Sequence, residues 1–210
     1  MVAPPAPIRV LAVDDHPLFR EGIAALIAQD SGMRLVAQAS SGRQAMELFR
    51  ATRPDITLLD LQLPDMDGTD VVIAVRSEFP DARLIVLSTY GGDVRASRAL
   101  RAGARAYMLK DSPPEEMLDT IRTVHDGQKR IQAEVARELA LHAADSELTP
   151  REMQVLVLLA NGNSNREIAG ALAIHEETAK GHVRNLLVKL GARDRTQAVM
   201  TAVRRGLIQP

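Results

Sequence analysis

From Ile8 to about Gly127 the chain alternates short runs of Val, Ile and Leu with longer amphipathic stretches, and this rhythm constrains the fold more than any other feature. Five runs read as strands buried on both faces: "IRVLAV" (8–13), "RLVAQAS" (34–40), "DITLLD" (55–60), "RLIVLS" (83–88) and "AYML" (106–109). Between and after them, helix-like periodicity covers Leu18–Gln29, Arg43–Ala51, Gly68–Glu78, Asp93–Ala102 and Glu115–Asp126. Strands joined by helical crossovers pair in parallel, and right-handed connections place helices on both faces of the sheet. The expectation is an α/β domain over 8–126 built on a five-stranded doubly wound sheet of order 2-1-3-4-5.

In such a sheet, functional groups collect where strand C-termini open into loops. The first strand runs into Asp14 and Asp15, and the third ends on Asp60. With strands one and three adjacent, three carboxylates converge, and mutually repelling anions at one edge call for a cation. A hard, oxygen-seeking Mg²⁺ suits that set. Ser88 and Thr89 end the fourth strand and Lys110 follows the fifth, adding hydroxyl donors and a fixed positive charge. Carboxylates, hydroxyl and lysine together are what phosphoryl transfer to a carboxylate requires, with Asp60 as nucleophile. His16 reads as a loop residue opening the first helix before Pro17, because Mg²⁺ prefers oxygen. Asp67 is positioned to cap the third helix, whereas Asp65 shows no ligand logic.

Beyond a segment 127–146, read as a linker with a narrow helical face, the texture becomes all-helical over 147–210. "TPRE" (149–152) and "SNRE" (164–167) are capping boxes, "DRTQ" (194–197) opens a last helix, and Gly191 and Gly206 stand where helices end. Four helices are expected. Asn165–Leu172 and Glu176–Leu190, separated by a three-residue turn, form a helix-turn-helix. Ala179, His182, Val183, Leu186 and Leu190 share the inner face of the longer helix; Lys180, Gly181, Arg184, Asn185 and Lys189 lie opposite. A helix with cations and an amide on its outer face fits a major groove.

Charge supports two modules: residues 146–210 carry a net +3 and residues 1–145 a net −4. No aromatic residue occurs in 146–210, so base-stacking recognition of single strands or RNA is disfavoured against duplex DNA. The chain has no cysteine, no long apolar run and no signal-peptide pattern, which predicts a cytoplasmic protein without membrane association. "MVAPPAP" reads as a short N-terminal tail that cannot form helix.

Residues 8–126 resemble the receiver domain of two-component response regulators, on "VDDHPLFREGI", "LLDLQLPDMDG", "LSTY" and "AGARAYMLKD". "LTPREMQVLVLLANGNSNREIA" with "TAKGHVRNLLVKLGARDRTQAV" is similar to the LuxR-type output domain of the NarL/FixJ subfamily. The resemblance implies a flavodoxin-like receiver whose Asp60 accepts phosphoryl from a sensor histidine kinase. It further implies Mg²⁺ held by Asp15, Asp60 and the Gln62 backbone carbonyl, with Asp14 acting through water. Ser88 would be the switch hydroxyl, Tyr107 the aromatic that follows it, and Lys110 the phosphoryl contact. Phosphoryl transfer would draw Ser88 and Tyr107 inward and promote a homodimer on DNA. In the output domain, Lys180, Gly181 and Arg184 would approach base edges, with Thr178 and Asn185 nearer the phosphates.

Several departures from the family pattern carry consequences. Lys110 precedes Asp111 rather than proline, so no cis peptide is expected there. Ala179 and His175 stand where valine and a serine or threonine cap are usual, which predicts a less stable recognition helix. Gln62, two residues beyond Asp60, cannot serve as the acid/base carboxylate of haloacid-dehalogenase-type phosphatases, which use D-x-D. The expectation is therefore a transcriptional switch, not an enzyme beyond its own phosphorylation and slow dephosphorylation. Two rivals stand beside it: a phosphorylation-independent DNA binder whose receiver only dimerises, and a Mg²⁺-dependent phosphatase.

Overall fold

A computed structural model describes residues 6–89, 93–141 and 148–208. The strands are β1 (Ile8–Val13), β2 (Met33–Ala39), β3 (Ile56–Asp60), β4 (Leu84–Ser88) and β5 (Ala106–Leu109), each followed by a helix. Those helices are α1 (Pro17–Ala28), α2 (Gly42–Thr52), α3 (Gly68–Glu78), α4 (Asp93–Arg101) and α5 (Pro114–His125). The order is the one expected, except that the parallel sheet has a sixth strand, β6 (Arg130–Ile131), giving β2-β1-β3-β4-β5-β6. The five-strand expectation is corrected accordingly. "RI" lies among polar residues and is too short to show a strand period; its pairing with β5 is visible only in three dimensions.

The central strands β3 and β4 are wholly buried because both faces of the sheet are covered, whereas the edge strands β2 and β6 are partly exposed. One face packs Val10, Ala12, Ile56, Leu58, Ile85, Leu87 and Met108 against Ile23 and Ile27 of α1 and Met117, Ile121 and Val124 of α5. The alternation of strand side chains sends Leu11, Val13, Leu59, Val86 and Tyr107 to the opposite face. Helices α2 and α3 pack together with Phe49 and Phe79 ring centroids 5.1 Å apart. No described peptide bond is cis, as expected after Lys110.

The chain separates into two compact units, divided at Arg137/Glu138 apart from a short stretch around the start of α4. Within the segment expected as linker, β6 is followed by α6 (Ala133–Leu141), whose Val135 is fully buried. Residues 142–146 of that segment, like residues 1–5 of the expected tail, lie outside the described residues.

The second unit contains α7 (Pro150–Ala160), α8 (Asn165–Ala171), α9 (Glu176–Lys189) and α10 (Arg195–Arg204). Both capping boxes are formed: Thr149 with Glu152, and Ser164 with Glu167. Val155, Leu156, Leu159, Ile168, Ala179, Leu186 and Ala198 make the centre of a small core. Of the expected inner face of α9, Ala179, Leu186 and Leu190 are buried, while His182 and Val183 are half-buried. Gly191 follows α9 at φ 60°, a left-handed turn favoured by glycine.

Lys189 departs from expectation. Its ammonium lies 2.8 Å from Glu152 Oε2 and its side chain is 25% exposed, so it ties the end of α9 to the start of α7. The same oxygen accepts the Thr149 N–H at 2.8 Å and its hydroxyl at 3.0 Å. Periodicity grouped Lys189 with the outward cations because it could not reveal a carboxylate 37 residues away. Burial pushes the Glu152 carboxyl up, but the donors from Lys189 and Thr149 outweigh it and hold the group below its ordinary 4.5.

His175 caps α9 without any side-chain hydrogen bond. His175→Ser should supply one and stabilise the unit by about 1 kcal/mol, read as a higher midpoint in thermal melts. Glu152 has a folded-state pKa below its unfolded value, so its stabilisation is present above pH 4.5 and lost as pH falls through the folded value. Glu152→Gln should therefore melt well below the parent at pH 7, with the gap narrowing in acid. A gap independent of pH would contradict the ion pair.

Candidate functional site

Strands β1 and β3 are hydrogen-bonded neighbours, with Val13 in register with Leu59, so Asp14 and Asp60 emerge side by side at the sheet's C-terminal edge. Lys110 follows β5, and its backbone N–H donates to the Ser88 carbonyl at 2.8 Å. From there its ammonium reaches back across β4. Its Nζ stands 2.7 Å from Asp14 Oδ2 and 2.8 Å from Asp60 Oδ2. The two aspartate side chains are 0% and 2% exposed, and the lysine only 12%. The same ammonium lies 5.0 Å from the centroid of the Phe19 ring, an attractive cation–π contact.

Backbone donors hold the carboxylates in place. Asp60 Oδ1 accepts the Gln62 N–H at 3.1 Å, and Asp14 Oδ1 accepts the His16 N–H at 2.9 Å. Gly68 permits this loop to close: a Cβ there would stand 2.3 Å from the Asp60 carbonyl oxygen and 2.7 Å from Leu61 Cα. The Gly68 N–H donates to the Leu61 carbonyl at 2.9 Å. Burial pushes the Asp60 carboxyl up; Lys110 and the Gln62 N–H oppose that, and burial prevails. Burial also pulls the Lys110 ammonium down, but its contacts to Asp14 and Asp60 outweigh this and raise it.

Asp14, Asp15, His16 and Asp60 each offer a ligand atom within 4.8 Å of the others. Asp15 is partly open, with a side chain 36% exposed, and its Oδ1 is 2.6 Å from His16 Nδ1. Three carboxylates face one lysine, leaving surplus negative charge at an oxygen-rich opening. That donor set fits Mg²⁺, which takes carboxylate, carbonyl and water oxygens and tolerates few protein ligands. His16 does open α1 at its N-cap, yet its side chain makes no cap hydrogen bond and turns to Asp15 instead.

Ser88 is buried at the end of β4, in register with Leu109, while Thr89 beside it is exposed. Tyr107 is fully buried, on β5 opposite Val86. The Tyr107 ring lies inside the domain in this structure, in which Asp60 is paired to Lys110. Asp67 caps α3, accepting the Thr69 N–H at 2.7 Å. Asp65, for which the sequence offered no role, accepts the Gly42 and Arg43 N–H groups at 2.8 and 2.9 Å. Those backbone donors, Arg43 first, hold its carboxyl below the usual range. It braces the loop after β3 against the N-terminus of α2.

In the second unit Thr178, Lys180, Gly181, Arg184 and Asn185 are all exposed on α9. Lys180 Nζ is 2.7 Å from Glu177 Oε1 and 3.9 Å from Glu176 Oε1, so this cation shares its face with two acids. A Cβ added at Gly181 would meet nothing within 4 Å.

Comparison with known proteins gives a family for each unit. Residues 10–122 match the response regulator receiver domain, and residues 146–202 match the luxR family of bacterial regulatory proteins. The chain is 39% identical over 209 residues to the uncharacterized transcriptional regulatory protein YhcZ of Bacillus subtilis, covering 95% of this chain and 97% of that protein. It is 37% identical over 208 residues to the response regulator protein VraR of Staphylococcus saprophyticus, covering 97% of this chain and all of VraR. Among solved structures it resembles response regulator ChrA of a heme-sensing two-component system: TM-score 0.59, 30% identity, 97% of this chain and 100% of ChrA. The chain belongs to the two-component response regulators, as a receiver domain joined to a DNA-binding, LuxR-type helix-turn-helix.

Proposed function

We propose that this regulator is switched by phosphorylation of Asp60. The observation that carries the reading is Lys110, whose one ammonium bridges two buried carboxylates at the edge of a carboxylate-rich cluster. An Asp60 carboxylate oxygen attacks the phosphorus of a sensor histidine kinase's phosphohistidine; the P–O bond forms, the P–N bond breaks, and the imidazole leaves. Asp15, Asp60 and the Gln62 carbonyl would hold Mg²⁺, with Asp14 beside them, and the ion would supply positive charge to the transferring oxygens. Lys110 exchanges its Asp60 contact for a phosphoryl oxygen. Ser88 offers a hydroxyl donor, with Thr89 at the exposed rim. No described helix is long and apolar enough to cross a membrane.

The output is binding of duplex DNA, in which Lys180, Gly181 and Arg184 of α9 meet base edges and Thr178 and Asn185 the phosphates. Lys189 does not belong to this set, since it serves Glu152. Receiver phosphorylation favours a homodimer, and a 100-fold gain in DNA affinity needs only about 2.7 kcal/mol of coupling. The open space around Gly181 supports a surface that a partner approaches closely.

Labelling with acetyl phosphate tests the acceptor. Asp60→Asn should abolish it, and Lys110→Ala should slow it roughly a hundredfold, as for loss of one preorganised oxyanion contact. Labelling that survives in Asp60→Asn would sink the assignment. For the DNA face, Gly181→Ala should raise the stability of α9 by up to about 1 kcal/mol while weakening binding to a duplex selected from a random-sequence pool. Unchanged binding would place Gly181 away from DNA.

A further inference from the structure

Gln132 follows β6 directly and its carbonyl accepts the Ala136 N–H in the first turn of α6 at 2.8 Å. A residue at such a position commonly caps the helix with its side chain. Gln132 turns its side chain the other way. Its Oε1 accepts the Leu109 N–H at 2.8 Å, and its Nε2 donates to Ser112 Oγ at 2.8 Å and to Glu116 Oε2 at 3.1 Å. Strand β6 pairs only with Ala106 and Tyr107, so the side-chain amide adds one rung to the ladder, at the residue before Lys110.

The loop that carries Lys110 is thereby held on both sides. Ser112 closes it, its hydroxyl donating to the Leu109 carbonyl at 2.6 Å. Gln132 grips both Leu109 and Ser112, and the Lys110 N–H is tied to Ser88. The ammonium at the centre of this loop must bridge Asp14 and Asp60, and its reach depends on where the backbone of 109–112 stands.

We propose that Gln132, a residue outside the receiver's strand and helix repeat, is a positioning residue for Lys110, so that docking of β6 and α6 sets the competence of the Asp60 pocket. The inference rests on Asp60 being the phosphoryl acceptor. Reciprocity is a thermodynamic requirement: if a docked Gln132 favours the productive Lys110, then filling the pocket favours docking. The residues leading out of the receiver thus sense the pocket through one amide side chain.

The test uses the full chain with Mg²⁺ and acetyl phosphate. Gln132→Met keeps the side chain's length and removes both its donor and its acceptor. It should slow labelling of Asp60 at saturating acetyl phosphate roughly fivefold, the size of one net hydrogen bond, with the half-saturating concentration unchanged. Exchanging the groups, Gln132→Glu with Glu116→Gln, retains an acceptor for Leu109 and an amide donor between the two side chains but loses the donor to Ser112, and should recover part of the rate. In the parent chain, beryllofluoride should slow hydrogen exchange at the Leu109 amide. Parent-like labelling by Gln132→Met, with a faster-exchanging Leu109 amide, would overturn the proposal and leave Gln132 a structural tie. Labelling that persists in Asp60→Asn would instead overturn the acceptor reading beneath it.

Discussion

Much of the receiver is arranged around one lysine and two buried carboxylates. Taking Asp14 and Asp60 out of water is costly, and Lys110 compensates both with contacts of 2.7 and 2.8 Å. The compensation is incomplete. Burial still raises the Asp60 carboxyl, and Asp15 adds a further anion at the opening. A site left short of positive charge, yet rigidly framed by strand ends, is suited to receive a cation and a group that carries oxygens. The backbone around it serves the same end: Gly68 lets α3 begin against the Asp60 carbonyl, and Asp65 anchors the loop to α2.

The second unit uses an ion pair for a different purpose. Glu152 gathers Lys189 and two donors from Thr149, joining the capping box of α7 to the last turn of α9. The consequence for recognition is subtractive. With Lys189 engaged and Lys180 held by Glu177, the exposed face of α9 has less free positive charge than a count of its lysines and arginines suggests.

Features with a local cause were legible in the sequence. Strand runs ending in Asp60 or followed by Asp14 and Lys110 state their own topology, because a doubly wound sheet brings those ends together. Capping boxes at Thr149 and Ser164 declare helix starts within four residues. Features with a remote partner were not legible. β6 is two residues long, the Asp65 carboxylate bonds backbone amides 22 and 23 residues earlier, and the partner of Lys189 is 37 residues away. Gln132 carried one faint signal, an amide where a hydroxyl or carboxylate cap is usual before a helix. Tyr107 shows a further limit, since periodicity assigns a strand residue to a face but does not reveal how deeply its ring is buried.

An Asp60 acceptor requires a pocket that needs both Mg²⁺ and the Asp60 carboxylate to hold a phosphoryl-like group. Fluorine NMR of the full chain with beryllofluoride measures this without a kinase or a DNA site. Bound-fluoride resonances should appear only with Mg²⁺ and vanish in Asp60→Ala. Resonances that persist without Mg²⁺, or without the Asp60 carboxylate, would contradict it.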